Sequence, residues 1–272
     1  MLKGGPRKAL GQNFLRDHSI LKKIISFADL KKEDVVVEIG AGLGDLTALL
    51  AQKSRIVVAL ELDRRLIDIL KDRFSQYKNV SIVQEDALRF NYQQISEQFQ
   101  TRLKVVGNIP YYLSTVLTMK LLKMSSLISL ILFMFQREVA ERITAGPASK
   151  TYGPLSILSQ VYADVSRVME VKRLYFSPTP KVDSALVKFI MYQKPKIAII
   201  DEEFFEKMLH LIFANRRKTL LNSLMSIRER RKEEMAEICK SAGIDHMRRA
   251  ETLTLEEIEK LFKNLRRLTA KN

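Results

Sequence analysis

The chain has 272 residues, 46% of them hydrophobic, enough for one sizeable core plus a small second domain, and a composition that folds rather than staying disordered. One cysteine, Cys239, and three scattered histidines exclude an internal disulfide framework and a Cys/His zinc site. The net charge of +15, most of it carried before residue 201, points to a polyanionic partner, with nucleic acid ahead of an anionic membrane.

The basic N-terminus MLKGGPRKALGQNF has no apolar stretch of the signal-peptide kind. The longest near-apolar run, residues 127–135, falls far short of the roughly 20 residues that span a bilayer, and reads as a buried strand. A cytoplasmic protein with no membrane association is the expectation.

Residues 35–191 alternate apolar runs with amphipathic segments. VVVEI (35–39) leads through a glycine-rich turn to DLTALLAQ, and IVVALEL (56–62) leads to DRRLIDILKDRF. VSIVQ (80–84) precedes EDA, LKVVG (103–107) precedes VLTMKLLKM, and SLILFMF (129–135) precedes REVAERI. Strands alternating with helices imply a parallel sheet covered on both faces. VSRVMEVKRL (165–174) and SALVKFIMY (184–192) read as an antiparallel pair at the sheet edge. After residues 193–196 the pattern becomes short helices, with Asp245 and Thr254 as N-cap candidates and Gly243 as a helix stop. The expected organisation is an α/β catalytic domain over 1–195 and a small all-α domain over 196–272.

Chemistry gathers at the ends of the strands. In EIGAGLG (38–44), Gly40, Gly42 and Gly44 let the backbone turn sharply and approach a ligand. Their spacing is not the G-x-G-x-x-G of a pyrophosphate-binding dinucleotide site, which disfavours a dehydrogenase. A tight turn without a ligand fits the loop alone. Glu61, at the end of the next strand, is placed to accept from ribose hydroxyls, with Asp63 as a competitor. Asp86, after the third strand, is either an acceptor for an adenine amine or a helix cap, with Glu85 as its competitor. Three such features on successive strands favour an adenosine-containing ligand without a pyrophosphate. S-adenosyl-L-methionine leads that class.

The stretch GNIPYYLST (107–115) ends the fourth strand in an amide, a proline and two tyrosines. An adenine amine is a weak nucleophile because its lone pair is delocalised into the ring. Two acceptors on its N–H bonds localise that pair: the Asn108 side-chain oxygen and a main-chain carbonyl near Pro110. Proline fixes φ there, and Tyr111 is placed to stack on an extracted base. Positioning then does most of the work, with no metal and no strong base. A strand-end turn with packed tyrosines is the bland alternative.

These motifs resemble the bacterial small-subunit (16S) ribosomal RNA adenine dimethyltransferases, the KsgA/RsmA family. The likeness runs nearly end to end, through KALGQNFLRD (8–17), VVEIGAGLGDLT (36–47), GNIPYYLST (107–115), FSPTPKVDSALVKF (176–189) and FANRRKTLLNSL (213–224). It implies a Rossmann-like class I methyltransferase that dimethylates two adjacent adenines in the 3′-terminal hairpin of 16S rRNA within the small ribosomal subunit. On matching positions, Asn13, Leu15, Gly40, Glu61, Asp86 and Asn108 would contact the cofactor, and Phe176 would stack on the flipped adenine opposite Tyr111. The expected state is a monomer.

Ala41 stands where the family often has Pro, and Tyr112 where Asn is usual. GQNFL is either a cofactor clamp or a packing arm. Arg216, Arg217 and Lys218, with Arg228, Arg230, Arg231 and Lys232, are phosphate contacts or solvated charge. Two rivals share the fold: a large-subunit (23S) adenine methylase of the antibiotic-resistance type, and a ribosome-assembly or transcription factor that only binds.

Overall fold

The apolar runs form one seven-stranded sheet in the computed structural model, which describes residues 12–15, 17–226 and 231–269. Residues 8–11 and 16 of the KALGQNFLRD motif, and Arg228 and Arg230, lie outside that range. The chain divides into two compact units. One takes residues up to Ala140 and Tyr162–Lys194; the other takes Glu141–Val161 and the residues from Pro195 onward.

The elements run β1 (Phe14–Leu15), α1 (His18–Phe27), β2 (Val35–Ile39), α2 (Asp45–Ala51), β3 (Ile56–Glu61), α3 (Arg64–Arg73), β4 (Val80–Gln84) and α4 (Tyr92–Phe99). They continue with β5 (Leu103–Gly107), α5 (Tyr111–Leu122), β6 (Ile128–Gln136), α6 (Arg137–Ile143), α7 (Pro154–Tyr162), β7 (Ala163–Val171), β8 (Phe176–Ser177) and β9 (Ser184–Met191). The chain then forms α8 (Glu202–Phe213), α9 (Leu220–Leu224), α10 (Lys232–Ser241) and α11 (Leu255–Thr269).

The sheet order is β4-β3-β2-β5-β6-β9-β7. The first five strands in that order pair parallel; β9 is antiparallel to β6, and β7 to β9, as expected of an edge pair. Every residue of β2 is buried, because helices cover both faces of a parallel sheet. From β2 the chain passes to β3 on one side; after β4 and α4 it crosses to β5 on the other. The strand order therefore reverses between β2 and β5, where open α/β sheets leave a crevice at the carboxyl ends. Gly107 closes β5 directly beside Ile39: a Cβ there would sit 2.7 Å from the Ile39 carbonyl oxygen.

The opposite end of the sheet is fastened by Arg102. Its Nη2 donates to the carbonyls of Ser125, Ile128 and Met191 at 2.8, 2.7 and 3.0 Å, where β5 and β6 begin and β9 ends. β1 and β8 form a separate two-stranded ladder, with Leu15 opposite Phe176.

In the second unit, α11 opens on a capping box. The Thr254 hydroxyl accepts from the Glu257 N–H at 3.3 Å, and the Glu257 carboxylate accepts from the Thr254 N–H at 2.8 Å. Gly243, at φ +72°, follows the end of α10 as a helix stop should. The N-cap expected at Asp245 is corrected: its carboxylate accepts from the Met247 N–H at 2.9 Å, closing a turn that no helix continues.

Candidate active site

A cavity of about 410 Å³ opens at the carboxyl ends of β2, β3, β4 and β5, within the first unit. Each strand contributes the residues immediately beyond it. Gly40 and Gly42 follow β2, Glu61 ends β3, Asp86 and Glu85 follow β4, and Asn108, Pro110, Tyr111 and Tyr112 follow β5. Asn13 and Leu15 line it from the arm that contains β1.

The glycine turn offers backbone donors and space. Gly42 sits at φ +60°, where an L side chain is strained, and an added Cβ would lie 3.2 Å from the Phe14 ring. Its N–H donates to Glu61 Oε2 at 2.9 Å. The other Glu61 oxygen accepts from the N–H groups of Leu62 and Asp63, at 2.8 and 2.9 Å. Three backbone donors thus hold this carboxylate at the wall of the cavity.

Asp63 is committed elsewhere. It caps α3 through the Arg65 N–H, and its carboxylate meets the Arg65 guanidinium at 2.6 Å, which holds its pKa below the ordinary range. It does not line the cavity, whereas Glu61 does. Asp86 accepts from the Leu88 N–H at 2.9 Å within a turn, and among the described residues its other oxygen carries no bond. Glu85 lines the cavity too.

Asn108 is the best-defined polar group. Its Nδ2 donates to the Asn13 main-chain carbonyl at 3.0 Å. A carbonyl can only accept, so this bond fixes which end of the amide is which. Oδ1 is left as the acceptor. Tyr111 is held by a 2.6 Å bond between its hydroxyl and Ser184 Oγ, and burial raises its pKa. Ser184 itself is buried at the start of β9. The preceding Asp183 accepts from the Arg173 N–H at 3.0 Å and meets Lys172 Nζ at 3.2 Å, and those partners lower its pKa. The KVDS motif therefore pins the 172–183 loop and braces Tyr111, a role the sequence did not suggest.

Glu38 also escaped the sequence reading. It is 1% exposed and lines the cavity, and among the described residues its Oε2 has no hydrogen-bond partner. Burial pushes its pKa up to about 8, and the neighbouring Glu61 and Asp45 carboxylates push the same way. Leu62, Ala87 and Ile109 add an apolar lining.

Phe176 is not among the cavity residues. It is 3% exposed and pairs with Leu15, which sits in the same hydrophobic cluster. The GQNFL segment thus both packs, through Leu15, and borders the cavity, through Asn13. In the second unit, Arg216, Arg217 and Lys218 are all exposed, and the Arg216 guanidinium also donates to the carbonyls of Lys150 and Tyr152 and faces Glu251. Among the described residues no cluster of His, Cys, Asp and Glu suits a metal, and no helix is long and apolar enough to cross a membrane.

The chain matches the family model "Ribosomal RNA adenine dimethylase" over residues 5–266. The ribosomal RNA small subunit methyltransferase A of Geobacillus sp. (strain WCH70) is 43% identical over 261 residues, covering 94% of this chain and 90% of its own length. The protein of the same name from Anoxybacillus flavithermus is 42% identical, covering 95% and 90%. Among solved structures, a dimethyladenosine transferase from Plasmodium falciparum superposes with a TM-score of 0.80 at 27% identity, over 93% of this chain and 98% of the other. The 23S rRNA methyltransferase ErmE superposes with a TM-score of 0.73 at 26% identity, over 93% and 100%.

Proposed function

The chain belongs to the ribosomal RNA adenine dimethylase family, and from that premise we propose how its cavity works. The substrate is the pair of adjacent adenines in the 3′ hairpin of 16S rRNA, met in the small subunit or its precursor. The methyl donor is S-adenosyl-L-methionine, the protein acts as a monomer, and the compartment is the cytoplasm.

The observation that carries this reading is the bond from Asn108 Nδ2 to the Asn13 carbonyl. It turns Oδ1 into a fixed acceptor at the mouth of β5. There Oδ1 and the Pro110 carbonyl would take the two N–H bonds of the target amine and leave its lone pair free to attack. A preorganised acceptor needs no reorganisation during the reaction. Tyr111, braced by Ser184, offers its ring face to the base.

The residues present suit the cofactor. A carboxylate held by three backbone donors matches ribose hydroxyls, and the glycine turn leaves room that a Cβ would fill. When bound, the cofactor supplies an electrophilic methyl group on a sulfonium. Glu61 would hold its ribose, Asp86 its adenine amine, and Asn13, Leu15, Gly40 and Gly42 the surrounding wall. Phe176 supports this arm through its pairing with Leu15. For the RNA, the exposed Arg216, Arg217 and Lys218 are the phosphate contacts, and Arg216 also anchors residues 150–152.

The likeness to ErmE keeps a 23S substrate as the competing reading. Labelled methyl transfer to undermethylated small subunits and, separately, to naked large-subunit RNA decides it. Dimethyladenine in the 16S 3′ hairpin is the expected product. Label confined to large-subunit RNA would overturn the reading, as would tight subunit binding without transfer.

A further inference from the structure

Tyr111 and Tyr112 are neighbours in opposite surroundings. Tyr111 is half-buried and bonded to Ser184. Tyr112 also lines the cavity, yet it is 65% exposed. Among the described residues its side chain has neither a hydrogen-bond partner nor a ring partner. A bare aromatic ring at a cavity rim presents a planar apolar face on which another planar group can stack. Val116, 56% exposed, stands one turn further along α5 and extends the same apolar step.

The chemistry of the neighbouring cavity identifies what covers that step. A base drawn out of its stack leaves the adjoining base with one uncovered face. That face is planar and apolar, and it arrives at the rim of the cavity that takes the target. The protein's charge of +15 suits the phosphates that accompany it. We propose that Tyr112, extended by Val116, is the stacking platform for the nucleobase adjoining the target adenine. The inference rests on the RNA adenine reading above and adds a substrate-positioning residue to it. Stacking on a ring is tolerant of base identity, so one platform serves whichever of two adjacent adenines is in the cavity.

The test uses the full chain and undermethylated small subunits. Tyr112→Ala should lower kcat/KM about tenfold, chiefly through KM, with cofactor affinity by calorimetry and melting temperature unchanged. Tyr112→Phe should restore the rate, and Tyr112→Leu, which keeps apolar bulk without a ring, should not. The slope of log KM against log salt should stay the same in all variants, because the ring neutralises no phosphate. An alanine variant within twofold of the unaltered protein would overturn the proposal, as would rescue by leucine equal to that by phenylalanine. No transfer to small subunits by the unaltered protein would instead overturn the reading of function, and this inference with it.

Discussion

Two strand-to-helix turns face the same cavity from neighbouring strands, and they are built from opposite materials. The turn after β2 is glycine and backbone: Gly40 and Gly42 at positive φ, with N–H groups as its polar equipment. The turn after β5 is side chain: Asn108, Pro110, Tyr111 and Tyr112. A backbone wall gives close approach and fixed donors, which suits holding a ligand of constant shape. A side-chain wall gives one oriented acceptor and aromatic faces, which suits a group that must be extracted, aligned and released. On the proposed reading, the contrast separates binding from transfer.

Breaking the side-chain wall should have the largest effect. Asn108→Ala should reduce methyl transfer by about a thousandfold while RNA affinity stays near that of the unaltered protein, since only the oriented acceptor is lost. Single-turnover transfer and filter binding measure the two quantities, and near-normal turnover would remove Asn108 from the proposed role. Breaking the backbone wall should act on affinity instead. Gly42→Val forces a side chain into a left-handed conformation against Phe14, and cofactor binding by calorimetry should weaken by about ten- to a hundredfold.

Glu38 sharpens the comparison through pH. Its carboxyl is neutral in the fold up to about pH 8 and ionises near 4.5 in the unfolded chain. Between those values the unfolded state has released a proton that the folded state keeps, so this group's contribution to stability is lost as pH rises through the window. Glu38→Gln removes that loss. Its melting temperature relative to the unaltered protein should therefore be higher at pH 8.5 than at pH 5; an equal difference at both would show that the carboxyl does not titrate there. The smallest effect should come from Ser184→Ala, which frees the Tyr111 hydroxyl. A drop in kcat of about threefold is expected, the scale of one hydrogen bond.

The central strands β2, β3 and β6 were legible because a strand buried on both faces is written as a nearly unbroken apolar run. That Gly40, Glu61, Asp86 and Asn108 line the cavity was legible for a related reason, since each stands at or just beyond the end of a strand. Other features left a weaker trace. The α4 sequence YQQISEQF is mostly polar, and α7 passes into β7 between Tyr162 and Ala163 with no Gly or Pro to mark the change. β1 and β8 are two residues each, too short to show a period. Asp245 misled because an Asx turn and a helix cap use the same local bond. Only coordinates separate Glu61 from Asp63, two acids one residue apart with different partners.

Arg102 has a consequence for the order of synthesis. Its guanidinium, just before β5, gathers the carbonyls of Ser125, of Ile128 at the start of β6, and of Met191, a residue 89 positions later. A nascent chain that has emerged only through β6 holds the central parallel strands and two of those three acceptors. The third arrives after β9 has left the ribosome. Fragments ending shortly before residue 191 should therefore exchange amide hydrogens faster at the foot of β5 than fragments extending past it, while the β2–β3 pair is equally protected in both. Equal protection at that foot would show that the strand ends close without the late acceptor.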